Sequence, residues 1–298
     1  METILITGGT GLIGKHLRDL LRAKGYKIAI LSRSNSSEPN SYFWNLEKNY
    51  VEDKAIEEAD YIIHLAGAGI ADERWTKKRK KELINSRVDS TKLLYKAVTK
   101  LNPNLKGFIA ASGIGYYGAI TSENIFTEND AVGHDFIATI CKLWEKESMK
   151  FNDINIRTAI FRIGVVLSKE GGAYEKISKP IKLGTGASLG SGEQYVPWIH
   201  INDLCNMLIS AVENNGMQGI YNAVAPQHIT NSVLTGSIAE NIHKKIRLPN
   251  IPKFMLKTIY GKMATILLEG SRVSSEKIEK TGFKFEYPTL ETTLKNFN

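Results

Sequence analysis

Short apolar runs alternate with amphipathic stretches through the first half of the chain. Residues 3–7 are a short β-branched apolar run, and positions 12–21 then repeat apolar residues at helical spacing until Gly25 stops them. A second apolar run over 27–31 completes a β-α-β unit. The same reading predicts strands over 59–66, 107–111 and 157–167 and helices over 86–101 and 136–151. Apolar strands separated by helices of this length belong in a parallel sheet. Parallel neighbours need crossover connections, and the crossover helices cover both faces.

The texture changes beyond residue 170. Gly171, Gly172, Gly184, Gly186, Gly190 and Gly192 fall in one stretch with Pro180 and Pro197, so loops are expected to dominate there. Residues 250–298 return to helical spacing through Phe254-Met255-Leu256 and Ala264-Thr265-Ile266-Leu267-Leu268. The expected fold class is α/β, a Rossmann-type doubly wound parallel sheet with a smaller α/β C-terminal lobe. The sheet domain is expected over 1–167, with room for segments from 195–225. Residues 168–298 would form the substrate-side lobe, helical from about 248.

With 298 residues, 42% hydrophobic and 23% charged, the chain can bury a sizeable core and is neither fibrous nor disordered. Cys141 and Cys205 are the two cysteines, and no CxxC or Cys/His spacing surrounds them. They read as buried thiols in a reducing compartment, with no metal site. Met1-Glu2-Thr3 leads straight into the first strand, and no apolar run approaches the roughly 18 residues of a membrane span. The expected setting is cytoplasmic, with no membrane partner.

The formal charge of +8 is widely spread apart from Lys77-Lys78-Arg79-Lys80-Lys81. Trp75, Leu83 and Ile84 flank that run at helical spacing, so it reads as a solvated helix face. Without interleaved aromatics, zinc spacing or a helix-turn-helix pattern, no nucleic-acid partner is expected. Lys92, Lys96 and Lys100 give the 86–101 helix one wet face, and both monomer and homodimer stay open.

The strongest local signal is Thr7-Gly8-Gly9-Thr10-Gly11-Leu12-Ile13-Gly14, between the first strand and the first helix. Glycines at 8, 11 and 14 permit a tight turn, close approach of a pyrophosphate, and close helix–strand packing. The helix N-terminus supplies unpaired N–H groups for the anion. At the end of the second strand, where an acidic residue would meet the ribose 2′-hydroxyl of NAD, stands Ser32-Arg33-Ser34. A guanidinium with neighbouring hydroxyls suits a 2′-phosphate, so the expected cofactor is NADP(H).

These residues, with His64-Leu65-Ala66-Gly67, resemble the extended short-chain dehydrogenase/reductases. The chain is more closely similar to the atypical extended members, the NAD(P)-dependent epimerase family that carries a C-terminal domain of unknown function. Further blocks in the expected order are Ile84-Asn85-Ser86-Arg87-Val88-Asp89-Ser90-Thr91, Gly115-Tyr116-Tyr117-Gly118, Phe161-Arg162-Ile163-Gly164-Val165-Val166-Leu167, Val196-Pro197-Trp198-Ile199-His200-Ile201-Asn202-Asp203-Leu204 and Leu267-Leu268-Glu269-Gly270-Ser271-Arg272-Val273. The resemblance implies nucleotide contacts at Thr10, Gly11, Leu12 and Ile13, at Ser32 and Arg33, and at Leu65 and Ala66 before Gly67. It also implies places beside the cofactor for Glu82, Arg87 and Val165. Five residues apart, Glu82 and Arg87 fall on neighbouring but not identical helix faces.

The wider superfamily moves its proton with a Tyr-x-x-x-Lys pair, and that pair is missing. Counting back from Glu145 puts Cys141 in the lysine place and Ile137 in the tyrosine place, while Lys142 is turned about 100° away. Ser112 follows the fourth strand, where the superfamily places a substrate-binding Ser or Thr. Tyr116 and Tyr117 lie just beyond it, and either phenol offers a proton. Arg87 brings a fixed charge for an oxyanion or an acidic substrate. His200 and Asp203 have no nucleophile tied to them and read as a cap or a buried hydrogen bond, and His64 as a strand-end residue. Two functions stay open: an NADP(H)-dependent oxidoreductase or epimerase-like enzyme acting on a small polar molecule, a nucleotide sugar or carbonyl compound, and a non-catalytic NADP(H)-binding redox sensor or regulator.

Overall fold

The computed structural model describes residues 1–34 and 39–297. The first half runs β1 (Thr3–Thr7), α1 (Leu12–Ala23), β2 (Lys27–Ser32), β3 (Ser41–Asn45), β4 (Tyr50–Val51), α2 (Asp53–Glu57), β5 (Tyr61–His64), α3 (Lys77–Leu101) and β6 (Gly107–Gly113). A 3-10 turn over Ile114–Tyr117 leads to β7 (Ile125–Phe126), α4 (Phe136–Met149) and β8 (Thr158–Ile163). Then come β9 (Val165–Ser168), β10 (Gly171–Gly172), α5 (Ala173–Lys182), β11 (Trp198–His200), α6 (Ile201–Glu213) and β12 (Gly219–Ala223). The remainder is α7 (Asn231–Asn241), α8 (Lys253–Tyr260), α9 (Thr265–Leu268), β13 (Arg272–Val273), α10 (Glu276–Glu279) and α11 (Leu290–Asn296).

Eight strands form one sheet in the order β12-β8-β6-β5-β1-β2-β3-β4, parallel except for the β3–β4 pair at its edge. Side chains alternate between its two faces. Ile4 and Ile6 of β1 pack with Leu17 and Leu21 of α1 and Leu204 and Leu208 of α6 on one face. Leu5 packs with Leu94 and Val98 of α3, Phe108 and Phe151 on the other. The Phe108 and Phe151 rings stack 3.8 Å apart. The chain moves outward from β1 through β2 on one side and returns to β5 on the other, so the crevice beyond the carboxyl ends of β1 and β5 is the topological switch point.

Several expectations need correction. The third helix begins at Lys77, not 86, because the Thr76 side chain accepts from Arg79 N and caps it. The basic run is therefore helical, but Arg79 is buried while Lys77, Lys78 and Lys81 are exposed. The expected strand 157–167 is two strands broken at Gly164. There a Cβ would lie 2.6 Å from the Pro197 carbonyl oxygen, and the chain passes from the main sheet into a small sheet ordered β10-β9-β11. The stretch read as loop-dominated contains α5, with Tyr174, Ser178 and Ile181 buried. β3 was not foreseen: its Tyr42 and Trp44 turn inward while their neighbours stay half-exposed. Among the described residues no helix is long and apolar enough to cross a membrane.

Candidate functional site

The glycine turn lies at the switch point. Gly8 takes φ +71°, and its carbonyl accepts from Gly11 N at 3.1 Å, closing the turn. Gly14 carries the close packing: a Cβ there would lie 2.6 Å from Gly9 Cα and closer still to the Gly8 carbonyl oxygen. α1 starts at Leu12 with no side-chain cap and no acidic residue in its first turn. Its leading N–H groups, beside exposed Thr10 and Gly11 and half-buried Leu12 and Ile13, thus remain available to an anion. Ser32 is half-buried at the end of β2, and Arg33 is exposed, with no hydrogen bond or ion pair to another described residue.

Leu65 and Ala66 form the other lip. Their amides donate to the Thr7 carbonyl at 3.2 Å and to Thr7 Oγ1 at 3.1 Å. His64 locks this lip to α3. The hydroxyls of Ser90 and Thr91 donate to main-chain carbonyls of α3, so the His64 Nε2–H must donate to them, at 3.2 and 3.1 Å. Nδ1 then accepts from the Thr7 hydroxyl at 2.6 Å. Burial, and then the charge of Arg87, depress the His64 pKa to about 3, and burial depresses that of His200 to about 4. A folded pKa below the unfolded one gives stability that is complete above about pH 6.5 and drains away as pH falls. Between about pH 6.5 and about pH 5, where ordinary carboxylates stay ionised, the thermal midpoint should therefore fall. His64→Gln should flatten that slope in scanning calorimetry, and an unchanged slope would refute the assignment.

A cavity of about 360 Å³ opens beyond the carboxyl ends of β6 and β8, between the sheet and the C-terminal segment. Ser112, Ile163 and Val165 form its floor, Ile137, Cys141 and Trp144 of α4 one wall, and Ile266 and Leu267 the far side. Arg87 joins it to the lip. Its side chain lines the cavity, and its Cζ lies 3.0 Å from where a Gly67 Cβ would be. Arg87 is 9% exposed, donates to the Leu83 and Ala68 carbonyls at 3.0 Å each, and lies over the Trp144 ring. Burial lowers its pKa.

Behind the floor runs a closed polar network. Ser112 Oγ donates to Glu145 Oε1 at 2.7 Å, and Arg162 binds both carboxylate oxygens at 2.9 Å. Arg162 Nη1 also donates to the Tyr117 hydroxyl at 3.0 Å, and that hydroxyl donates to Asn222 Oδ1 at 2.6 Å. Burial opposes the Arg162 charge, but the Glu145 carboxylate outweighs it and holds the pKa above its ordinary value. Burial pushes Tyr117 up to about 12, and burial followed by Glu145 pushes Cys141 up to about 12. Tyr116 does not line the cavity; its ring stacks on the Arg162 guanidinium at 3.4 Å.

The structure therefore brings Arg87, Ser112, Val165 and the Tyr117 side of the turn to one cavity, and leaves Glu82 on the exposed face of α3, 2.9 Å from Arg79. His200 caps α6, accepting from Asn202 N, and Asp203 accepts from Glu286 N and Tyr287 N at 2.9 and 3.0 Å. Both are structural, and Cys141 and Cys205 are buried free thiols. Lys142 is exposed. Sequence reading missed Glu145 and Arg162 as partners. The available signal was a charge on each of two otherwise buried faces, since such charges are kept only when paired.

A glycine turn at the switch point of a doubly wound sheet, with a cavity beside it at the carboxyl ends of the neighbouring strands, defines a Rossmann-type α/β protein of the extended kind. The chain belongs to the NAD dependent epimerase/dehydratase family, whose sequence pattern matches residues 4–223, and residues 251–297 match a separate domain of unknown function, DUF1731. It is 35% identical to epimerase family protein YfhF of Bacillus subtilis over 98% of this chain and 96% of that protein. The crystal structure of human epimerase family protein SDR39U1 with NADPH superimposes with a TM-score of 0.89 at 32% identity, covering 99% of this chain and 98% of that one. A nucleoside-diphosphate sugar epimerase from Corynebacterium glutamicum gives a TM-score of 0.81 at 26% identity, covering 99% of this chain and 57% of that one.

Proposed function

We propose that this protein binds NADP(H) and is an oxidoreductase acting on a small molecule held in the β6–β8 cavity. The observation that carries it is Arg87, which touches both the lip of the glycine turn and the cavity wall, so that one site is continuous with the other. The turn fits a dinucleotide: Gly14 lets α1 close on Gly8, and the first amides of α1 are uncapped. Gly8, Thr10, Gly11, Leu12 and Ile13 would hold the pyrophosphate, Ser32 and Arg33 the 2′-phosphate, Leu65, Ala66 and Gly67 the adjoining face, and Val165 and Arg87 the cavity end. When bound, the nicotinamide supplies or accepts hydride. Two buried free thiols fit a reducing compartment such as the cytoplasm.

In this reading Ser112 and Glu145 take over the missing proton chemistry. The Ser112 proton is directed at Glu145, so Ser112 Oγ presents lone pairs to the cavity. A substrate hydroxyl would hand its proton to that oxygen as the Ser112 proton passes to Glu145, and reduction runs the same path backwards. Tyr117 acts as scaffold, its hydroxyl consumed by Arg162 and Asn222. Residues 1–167 would serve the cofactor and 168–298 chiefly the substrate.

A second reading, an NADP(H)-binding sensor without turnover, is favoured by one observation: Ile137 and Cys141, in the places of the usual pair, both face the cavity. Calorimetric titration tests the common part. NADPH should bind more tightly than NADH, and Arg33→Ala should weaken NADPH at least about tenfold, about 1.4 kcal/mol, and leave NADH unchanged. Binding of neither nucleotide would refute both readings. Substrate-dependent oxidation of NADPH, lost in Ser112→Ala, separates the enzyme from the sensor.

A further inference from the structure

Most polar groups in the walls of the cavity are already engaged; among the described residues Trp144 Nε1 and Gln194 Oε1 are buried without a hydrogen-bond partner, and Ser112 Oγ keeps its lone pairs. The Ser112 proton is spent on Glu145, and the Tyr117 hydroxyl on Asn222. Gln194, 2% exposed, gives both amide protons to the Leu189 and Leu267 carbonyls at 3.0 and 2.8 Å. Ser271 donates to the Ile120 carbonyl, and Glu269 accepts from Thr121 and lies 3.8 Å from Lys253. The remaining surface is apolar, with Ile70, Phe126, Ile137, Ile140, Val196 and Ile266 among its members.

Arg87 adds a buried positive charge to this lining. Two of its five N–H groups go to the Leu83 and Ala68 carbonyls. No carboxylate among the described residues pairs with it, although it is nine-tenths buried. A guanidinium taken out of water and left without a counter-charge is costly, and an anionic ligand group relieves that cost with charge-assisted hydrogen bonds.

We infer that, within the NADP(H) reading above on which this step rests, the cavity takes a compact, mainly apolar monocarboxylate, with its carboxylate on Arg87 and its hydrocarbon part between α4 and the C-terminal segment. Nucleotide sugars, with many hydroxyls, match this mainly apolar lining poorly. Beyond the few that could meet Ser112, Gln194 or Trp144, sugar hydroxyls would give up their hydrogen bonds to water and meet apolar wall or an engaged polar group. About 360 Å³ is also near the low end of the roughly 300–1,000 Å³ of small-molecule sites, and it must accept the end of the cofactor as well.

The test uses the full chain saturated with NADP, after a first titration has established nucleotide binding. Calorimetry then measures cinnamate, phenylpyruvate and octanoate against cinnamyl alcohol, a neutral counterpart of cinnamate, and UDP-glucose. At least one carboxylate should bind, cinnamate at least about tenfold more tightly than the alcohol, and UDP-glucose should not compete. Arg87→Met should abolish the preference for cinnamate over the alcohol, and Arg87→Lys should restore part of it. Ile266→Trp fills the cavity from a half-buried position; it should block the carboxylates and leave NADPH affinity intact. The inference is overturned if none of the carboxylates binds, if UDP-glucose binds as tightly as they do, or if their affinity survives both Arg87→Met and Ile266→Trp. Failure of NADPH to bind in the first titration would instead refute the cofactor reading.

Discussion

Arg162→Met is expected to lower the free energy of unfolding by roughly 3–5 kcal/mol in urea denaturation, the usual loss when one partner of a buried pair is removed. The guanidinium is 1% exposed, near the carboxyl end of β8. It ties β8 to three other elements: Glu145 of α4 through two bonds, Tyr116 and Tyr117 of the 3-10 turn through a ring contact and a hydrogen bond, and, through Tyr117, Asn222 of β12. Removing it leaves the Glu145 carboxylate buried with Ser112 as its remaining partner and takes one hydrogen bond from Tyr117. The double variant Arg162→Met with Glu145→Leu should lose clearly less than the sum of the two single losses, because the stranded charge is gone. A single-variant loss under about 1 kcal/mol would show that the network is not what joins these elements.

Gly14→Ala should weaken NADPH at least about 100-fold, about 2.7 kcal/mol, with a smaller loss of stability. The added methyl has nowhere to go: its neighbours are main-chain atoms of Gly8 and Gly9, which cannot rotate aside as a side chain does. Either α1 lifts away from β1 or the turn opens, and both displace the amides meant for the pyrophosphate. Gly236→Ala in α7 is the control. No atom lies within 4 Å of its added carbon, so it should raise stability by up to about 1 kcal/mol and leave NADPH affinity untouched. Equal NADPH affinity in wild type and Gly14→Ala would contradict the cradle.

The residues that were legible share one property: their signal is local. The turn from Thr7 to Gly14 is a strand end, a glycine spacing and a helix start within eight positions, and all three appear in the structure. Burial of Cys141 and exposure of Lys142 followed from helical phase alone. Boundaries were less legible where the deciding contact is distant in sequence. The strand break at Gly164 depends on the Pro197 carbonyl arriving beside it; the early start of α3, by contrast, rests on a local cap at Thr76 that the basic run obscured. Arg79 looked like part of a solvated lysine run, yet its side chain reaches the Gly69 carbonyl and is buried.

The sequence by itself determined the parallel α/β class, the position of the glycine turn, the choice of Arg33 over an acidic residue, and the absence of the Tyr-x-x-x-Lys pair, since each is written in residues within a turn or two of one another. Tertiary structure alone decided which polar groups are already spent. Ser112 and Tyr117, Glu145, Arg162 and Asn222 come from four separate stretches of chain, and only folding brings their hydrogen-bonding atoms within 3.0 Å of one another in sequence along the network. The same folding leaves Arg87, 25 residues from Ser112, as a buried cation beside the cavity with no carboxylate partner among the described residues. Burial makes the difference, because a polar group's capacity to act on a ligand depends on what remains after the protein has satisfied its own donors and acceptors.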